Sequence, residues 1–141
     1  MKIGVIYWSG TGNTEQMAQA IAEGAQATGA EVDVLSVSDT TVDAAAGYDR
    51  LALGCPAMGA EVLEECEFEP FYTELEGKLR GKQVALFGSY GWGDGQWMRD
   101  WQDRANDAGI SIVGREGLMA HETPDSDALD ACRDLGKALA S

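Results

Sequence analysis

Residues 9–14, SGTGNT, set two glycines among four small hydroxyl or amide side chains, two residues after the apolar run IGVI at 3–6. A tight loop feeding a helix N-terminus presents free backbone N–H groups and the positive end of the helix dipole, and both attract an anion. Ser9, Thr11, Asn13 and Thr14 add neutral donors to the bare backbone of Gly10 and Gly12. The loop is not a nucleotide P-loop, because G-x-x-x-x-G-K-[ST] is absent. It is not G-x-G-x-x-G either, since Glu15 stands at the third glycine. An ordinary capped turn would account for any single Ser-Gly-Thr, but four polar side chains around two glycines point to phosphate. The loop nevertheless holds no lysine or arginine, in a chain of net charge -14.

Two further loops carry residues of interest. PAMGAEVLEE (56–65) contains Met58 and Glu61, which alone would read as a core methionine and a solvated carboxylate. SYGWGDG (89–95) flanks Trp92 with Gly91 and Gly93, which leaves the indole exposed and lets backbone approach a ligand. Trp8, Trp97 and Trp101 read as packing residues. The only histidine, His121, reads as a surface residue in the loop after the fifth strand. Cys55, Cys66 and Cys132 are odd in number and widely spaced, with no C-x-x-C. This argues against a disulfide framework or a zinc site and fits a reducing cytoplasm.

The elements that must position these loops follow from the apolar pattern. Strands are predicted at 2–8, 31–37, 50–55, 82–89 and 110–115, rich in β-branched residues or Leu and lacking a clean period of two, as expected of strands buried on both faces. Between them, Met17, Ile21 and Ala25, beside Ala18 and Ala22, form one helical stripe that Gly29 is placed to stop. Helices are also predicted at 69–79, with proline in the first turn, at 95–109, and from Asp125 onward. A shorter one falls within 39–49. Strand and helix alternate five times, which implies a parallel sheet with helices on both faces and the three loops together at its carboxyl edge. Ligands bind such sheets at that edge, where the strand order reverses.

The 141 residues fit one domain, 1–141. The 24 acidic residues against 10 basic ones make nucleic acid and acidic membrane surfaces poor partners. No run approaches a membrane span, and the N-terminus reads as a first strand, not a signal peptide.

Taken together, YWSGTGNTE, LGCPAMG, EVLEE, EFEPF, ALFGSYGWGDG and WMRD resemble the flavodoxins, most closely the short-chain type of clostridia and related anaerobes, nearly end to end. The resemblance implies a flavodoxin-like three-layer α/β sandwich with a five-stranded parallel sheet of order 2-1-3-4-5. It also implies one noncovalently held FMN, and a low-potential one-electron carrier, not an enzyme, that cycles between semiquinone and hydroquinone. Residues 9–14 would bind the FMN phosphate through backbone and hydroxyl groups alone, which explains the missing cation. A positive charge roughly 10 Å from the ring would favour its anionic reduced form by roughly 1.5 kcal/mol at an effective dielectric constant near 20, raising the potential.

By the same resemblance Pro56 and Ala57 lead into Met58, which would cover one face of the ring, and Glu61 would accept from the flavin N3–H. Ser89, Tyr90 and Gly91 would meet the ribityl chain and pyrimidine edge, and Trp92, beside Gly93, would stack on the other face. The peptide between Gly59 and Ala60 would reorient on reduction, at a cost raised by alanine where relatives carry aspartate. Redox partners with basic docking surfaces are implied, of the reductase, pyruvate oxidoreductase or hydrogenase type, approached by a cytoplasmic monomer. The acidic stretch Glu61, Glu64, Glu65, Glu67 and Glu69 would form part of the docking face.

Two other classes fit less well. An FMN-dependent quinone reductase needs an inserted segment to build a second pocket, and none is present. A receiver domain needs clustered acids after strand one and an aspartate after strand three, where this chain has YWSG and GCPAMG.

Overall fold

The computed structural model describes residues 1–58, 62–91, 93–114 and 116–141. The strands are β1 (Lys2–Tyr7), β2 (Glu31–Ser36), β3 (Arg50–Gly54), β4 (Gln83–Tyr90), β5 (Ser111–Ile112) and β6 (Leu118–His121). The helices are α1 (Asn13–Gln26), α2 (Val42–Ala46), α3 (Phe68–Glu76), α4 (Gln96–Asp107) and α5 (Ser126–Ala140), with one 3-10 turn at Val37–Asp39. All strand pairings between these elements are parallel, in the order β2-β1-β3-β4-β5, and β6 lies beside β4.

Successive residues of the central strands point into two separate cores, which is why their sequences show no polar alternation. Ile3, Val5, Ala52, Ala85 and Phe87 face α1 and α5. Ile6, Leu51, Leu53, Val84 and Leu86 face the layer of α2, α3 and α4. Trp97 and Trp101 are each 1% exposed in the second core, as their packing roles required. Tyr72 and Trp101 meet there edge to face, with ring centroids 5.7 Å apart.

The fifth strand differs from expectation. It does not run 110–115 but comes in two pieces that pair with successive stretches of β4: Gln83 and Val84 face Ser111 and Ile112, then Phe87 to Tyr90 face Leu118 to His121. Two residues of β4 therefore span the same interval as five between β5 and β6. Gly114, at φ 80°, takes the chain out of the strand conformation. A side chain at Gly117 would lie 2.1 Å from Met98 Sδ, so the returning chain packs flush on α4. In consequence His121 does not sit in a loop; it ends β6.

Candidate functional site

The three loops leave neighbouring strands and are stitched together at their bases. Trp8 N–H donates to Gly54 O at 3.0 Å, Cys55 N–H to Phe87 O at 3.1 Å and Ala57 N–H to Ser89 O at 3.0 Å. Trp97 Nε1–H donates to Cys55 O at 3.1 Å and pins the second loop from α4. Above these contacts lies a groove of about 270 Å³.

One end of the groove is the first loop. Gly12 caps α1 with φ 92°, a left-handed conformation that favours glycine. Ser9 Oγ turns inward and accepts from the N–H groups of Gly12 (3.1 Å) and Glu15 (3.4 Å). Among the described residues, the N–H groups of Thr11, Asn13 and Thr14 have no protein acceptor. Three unsatisfied donors at a helix N-terminus, with no side-chain cation among them, fit a phosphate held by amides and the helix dipole. Glu15, the acid of the first turn, accepts from the Tyr7 hydroxyl at 3.1 Å. Thr14 is 1% exposed, beneath the loop, where its Oγ1 lies 3.2 Å from Ser89 Oγ.

The remaining walls are largely apolar and fit a planar ring. Pro56, Ala57 and Met58 line one side, and Ser89, Tyr90 and Gly91 another. Met58 and Val62 exchange two backbone hydrogen bonds (2.9 and 3.0 Å), so the chain is clamped immediately before and after residues 59–61. Gly93 (φ 88°) and Gly95 (φ 93°) bring the third loop round into α4.

Thus Gly10, Thr11, Asn13, Pro56, Ala57, Met58, Ser89, Tyr90 and Gly91 are brought together around one groove. Ser9, Gly12, Thr14 and Gly93 do not line it: the first three hold the loop and the first turn of α1 at its end, and Gly93 lies in the turn before α4. Gly59, Ala60, Glu61 and Trp92 lie outside the described residues, and so do the expected reorientation of the Gly59–Ala60 peptide and the expected stacking of Trp92.

Two lining residues were not foreseen. Trp8, expected only to pack, lines the groove beside Gly10 and donates from Nε1 to Glu67 Oε1 at 3.2 Å. Glu122 lines it too; it is the only described non-glycine residue with positive φ (57°), and its N–H donates to Tyr90 O at 2.7 Å. Trp8 had a signal, its place between β1 and the loop at 9–14. Glu122 had none, because its position depends on the split fifth strand.

The acidic stretch needs one correction. Glu64 is not a docking residue: it is 6% exposed, and its carboxylate accepts from the N–H groups of Cys66, Glu67 and Phe68, capping α3. Glu69 accepts both Arg104 Nη1 contacts at 2.8 Å, so its charge is largely met within the fold.

A sheet of order 2-1-3-4-5 with its groove at the β1/β3 switch point defines a doubly wound α/β protein of the nucleotide-binding kind. The Flavodoxin family model matches residues 5–136. A flavodoxin of Clostridium beijerinckii is 51% identical over 97% of this chain and 98% of its own. A flavodoxin of Megasphaera elsdenii is 48% identical over 96% of each. The solution structure of two-electron reduced Megasphaera elsdenii flavodoxin superposes with a TM-score of 0.86, covering 98% of both chains at 47% identity. The chain belongs to the flavodoxin family, FMN-binding electron-transfer proteins.

Proposed function

We propose that the described groove is where this flavodoxin holds FMN, and that residues 1–141 act as one FMN-binding domain. The observation that carries this reading is that the amides of Thr11, Asn13 and Thr14 have no acceptor among the described residues, at a helix N-terminus beside the groove that Met58 and Tyr90 line. FMN supplies one-electron chemistry when bound. The protein's part is to bind the phosphate without a cation, to orient the ring between the second and third loops, and to keep water from its faces. Met58 suits an aromatic face because its thioether is polarizable and its chain adaptable. Glu61 and Trp92 complete the ring site on the strength of the resemblance.

The protein acts as a carrier and not as an enzyme, as a monomer in the cytoplasm, without nucleic acid or membrane partners. No described helix is long and apolar enough to cross a membrane. Its partners are redox proteins with basic docking surfaces, of the reductase, pyruvate oxidoreductase or hydrogenase type. Glu65, Glu67 and Glu122 are exposed, Glu122 on the groove and Glu67 against the groove-lining Trp8, and complement such surfaces. The decisive experiment compares FMN with riboflavin on the apo-protein. FMN should bind far more tightly, and equal affinities would remove the phosphate role of residues 9–14. Electron-transfer rates to a basic partner should fall as ionic strength rises, and NAD(P)H oxidation by the purified protein should be negligible.

A further inference from the structure

We propose that His121 is a positioning residue for the flavin groove, acting through the carbonyl of Gly91. This rests on the reading that the groove holds FMN. His121 closes β6 opposite Tyr90, which closes β4. The two rings lie 5.0 Å apart, tilted by 55°. Nε2 of His121 stands 2.8 Å from Gly91 O. A carbonyl oxygen only accepts, so Nε2 carries the proton and donates. Both the Nε2–H tautomer and the imidazolium can do this, so the contact survives a change of protonation.

The geometry gives that bond a purpose. Tyr90 and Gly91 line the groove and form the point at which β4 gives way to the glycine-rich turn. With no side chain, Gly91 has no rotamer to hold it, and a Cβ built there would meet nothing within 4 Å. Its backbone would be free to turn its carbonyl toward the ligand. Two hydrogen bonds from the end of β6 prevent this: Glu122 N–H takes Tyr90 O, and His121 takes Gly91 O. Immediately after these two donors the chain turns away through the left-handed conformation of Glu122, unusual for a non-glycine. The carbonyls of Tyr90 and Gly91 are thereby engaged on the β6 side and withdrawn from competition for a ligand's donors. Gly91 lies two residues beyond Ser89, roughly 6.6 Å along the strand at about 3.3 Å per residue. His121 therefore acts at the ring end of the groove, beyond the Thr14–Ser89 contact, and its effect should not depend on the phosphate.

The test uses His121→Phe, which keeps a flat ring against Tyr90 but loses the donor, and His121→Gln, which loses the ring but keeps a donor of similar reach. The dissociation constants of FMN and riboflavin are measured by flavin fluorescence quenching. The Gly91 carbonyl is followed in the apo-protein by its 13C shift. His121→Phe should weaken both ligands by about 3- to 10-fold, the size of one net hydrogen bond, leave the FMN-to-riboflavin ratio unchanged, and move the Gly91 shift. His121→Gln should restore affinity and shift toward wild type. Wild-type affinity in His121→Phe, or equal losses in both variants, would overturn the positioning role while leaving the FMN reading intact. Failure of the wild-type protein to bind FMN would overturn both.

Discussion

Thr14 Oγ1 and Ser89 Oγ lie 3.2 Å apart, both almost fully buried, and so join the first turn of α1 to the carboxyl end of β4. One hydroxyl donates to the other, and the second proton remains available for a ligand. The pair therefore couples the placement of the first loop to that of the third loop. Thr14→Val keeps the shape of the side chain but leaves Ser89 with a buried, unmet hydroxyl. FMN affinity should fall by about 10-fold or more, as expected for a lost hydrogen bond at a charged ligand. Riboflavin should lose less, and Thr14→Ser should behave as wild type. Equal losses for the two flavins would show that Thr14 supports only the fold.

Glu64 separates a structural acid from its solvated neighbours. Its carboxylate takes the N–H groups at the start of α3, with 3.1 Å contacts to Cys66 and Phe68, while its own N–H donates to Cys55 Sγ at 3.3 Å. Glu64→Gln would replace one of the two accepting oxygens with an amide donor that faces an N–H group. Unfolding by denaturant should show a loss of about 1–3 kcal/mol. Glu65→Gln, on an exposed side chain, should stay within about 0.5 kcal/mol. Partner kinetics should reverse the ranking, with the ionic-strength dependence weakened by the change at Glu65. A Glu64→Gln protein of wild-type stability would show that the cap contributes nothing.

These two sites mark what the sequence could and could not disclose. Strand order, helix placement and the tight loop into α1 were legible because each rests on local pattern: a buried apolar run, a 3.6-residue stripe, two glycines at a helix start. Glu64 was not, because an EVLEECE stretch looks solvated until the fold closes α3 over one of its carboxylates. The break in strand five was hidden for a related reason. Ile110, Ile112 and Val113 make a plausible strand, and only packing of Gly117 on Met98 shows where the chain must leave and return. His121 and Glu122 inherit their places from that break, so neither could be assigned before it was seen.

The three thiols should differ sharply in reactivity. Cys55 and Cys132 are fully buried, and burial pushes each thiol up to about 12; at Cys55 the N–H of Glu64 opposes that shift. Cys66 is exposed. Near pH 8, Ellman's reagent should label one thiol quickly in the native protein and all three after unfolding. The same shifts set an alkaline trend. An unfolded thiol ionises near pH 8.5, whereas the two folded ones keep their protons up to about 12. Between these values the unfolded chain binds fewer protons than the folded one, so stability must fall as pH rises. Denaturant midpoints should decline from pH 8 to 10, and less steeply in Cys132→Ala than in wild type. A flat profile would contradict the burial of these thiols.

The contact between α1 and α5 rests on two glycines. A Cβ at Gly24 would stand 1.9 Å from Arg133 O, and one at Gly136 would stand 2.0 Å from Ile21 O. Both obstacles are backbone atoms, so no rotamer change could relieve them, and the helices would have to separate. Separation would open the core formed by Ile21, Ala25 and Cys132 beneath them. Alanine is otherwise the better helix former, by about 1 kcal/mol over glycine. A destabilised Gly24→Ala or Gly136→Ala variant would therefore report packing against propensity. Overpacking of this kind costs about 1–3 kcal/mol or more, which for a chain of this length lowers Tm by roughly 4–12 °C. Gly77→Ala supplies the contrast, since Gly77 has φ -68° at the end of α3 and its nearest obstacle is 4.0 Å away. It should be neutral or stabilising by up to about 1 kcal/mol. Thermal unfolding of the three variants decides the matter: equal or raised Tm in Gly24→Ala and Gly136→Ala would mean that the helices do not approach as closely in solution.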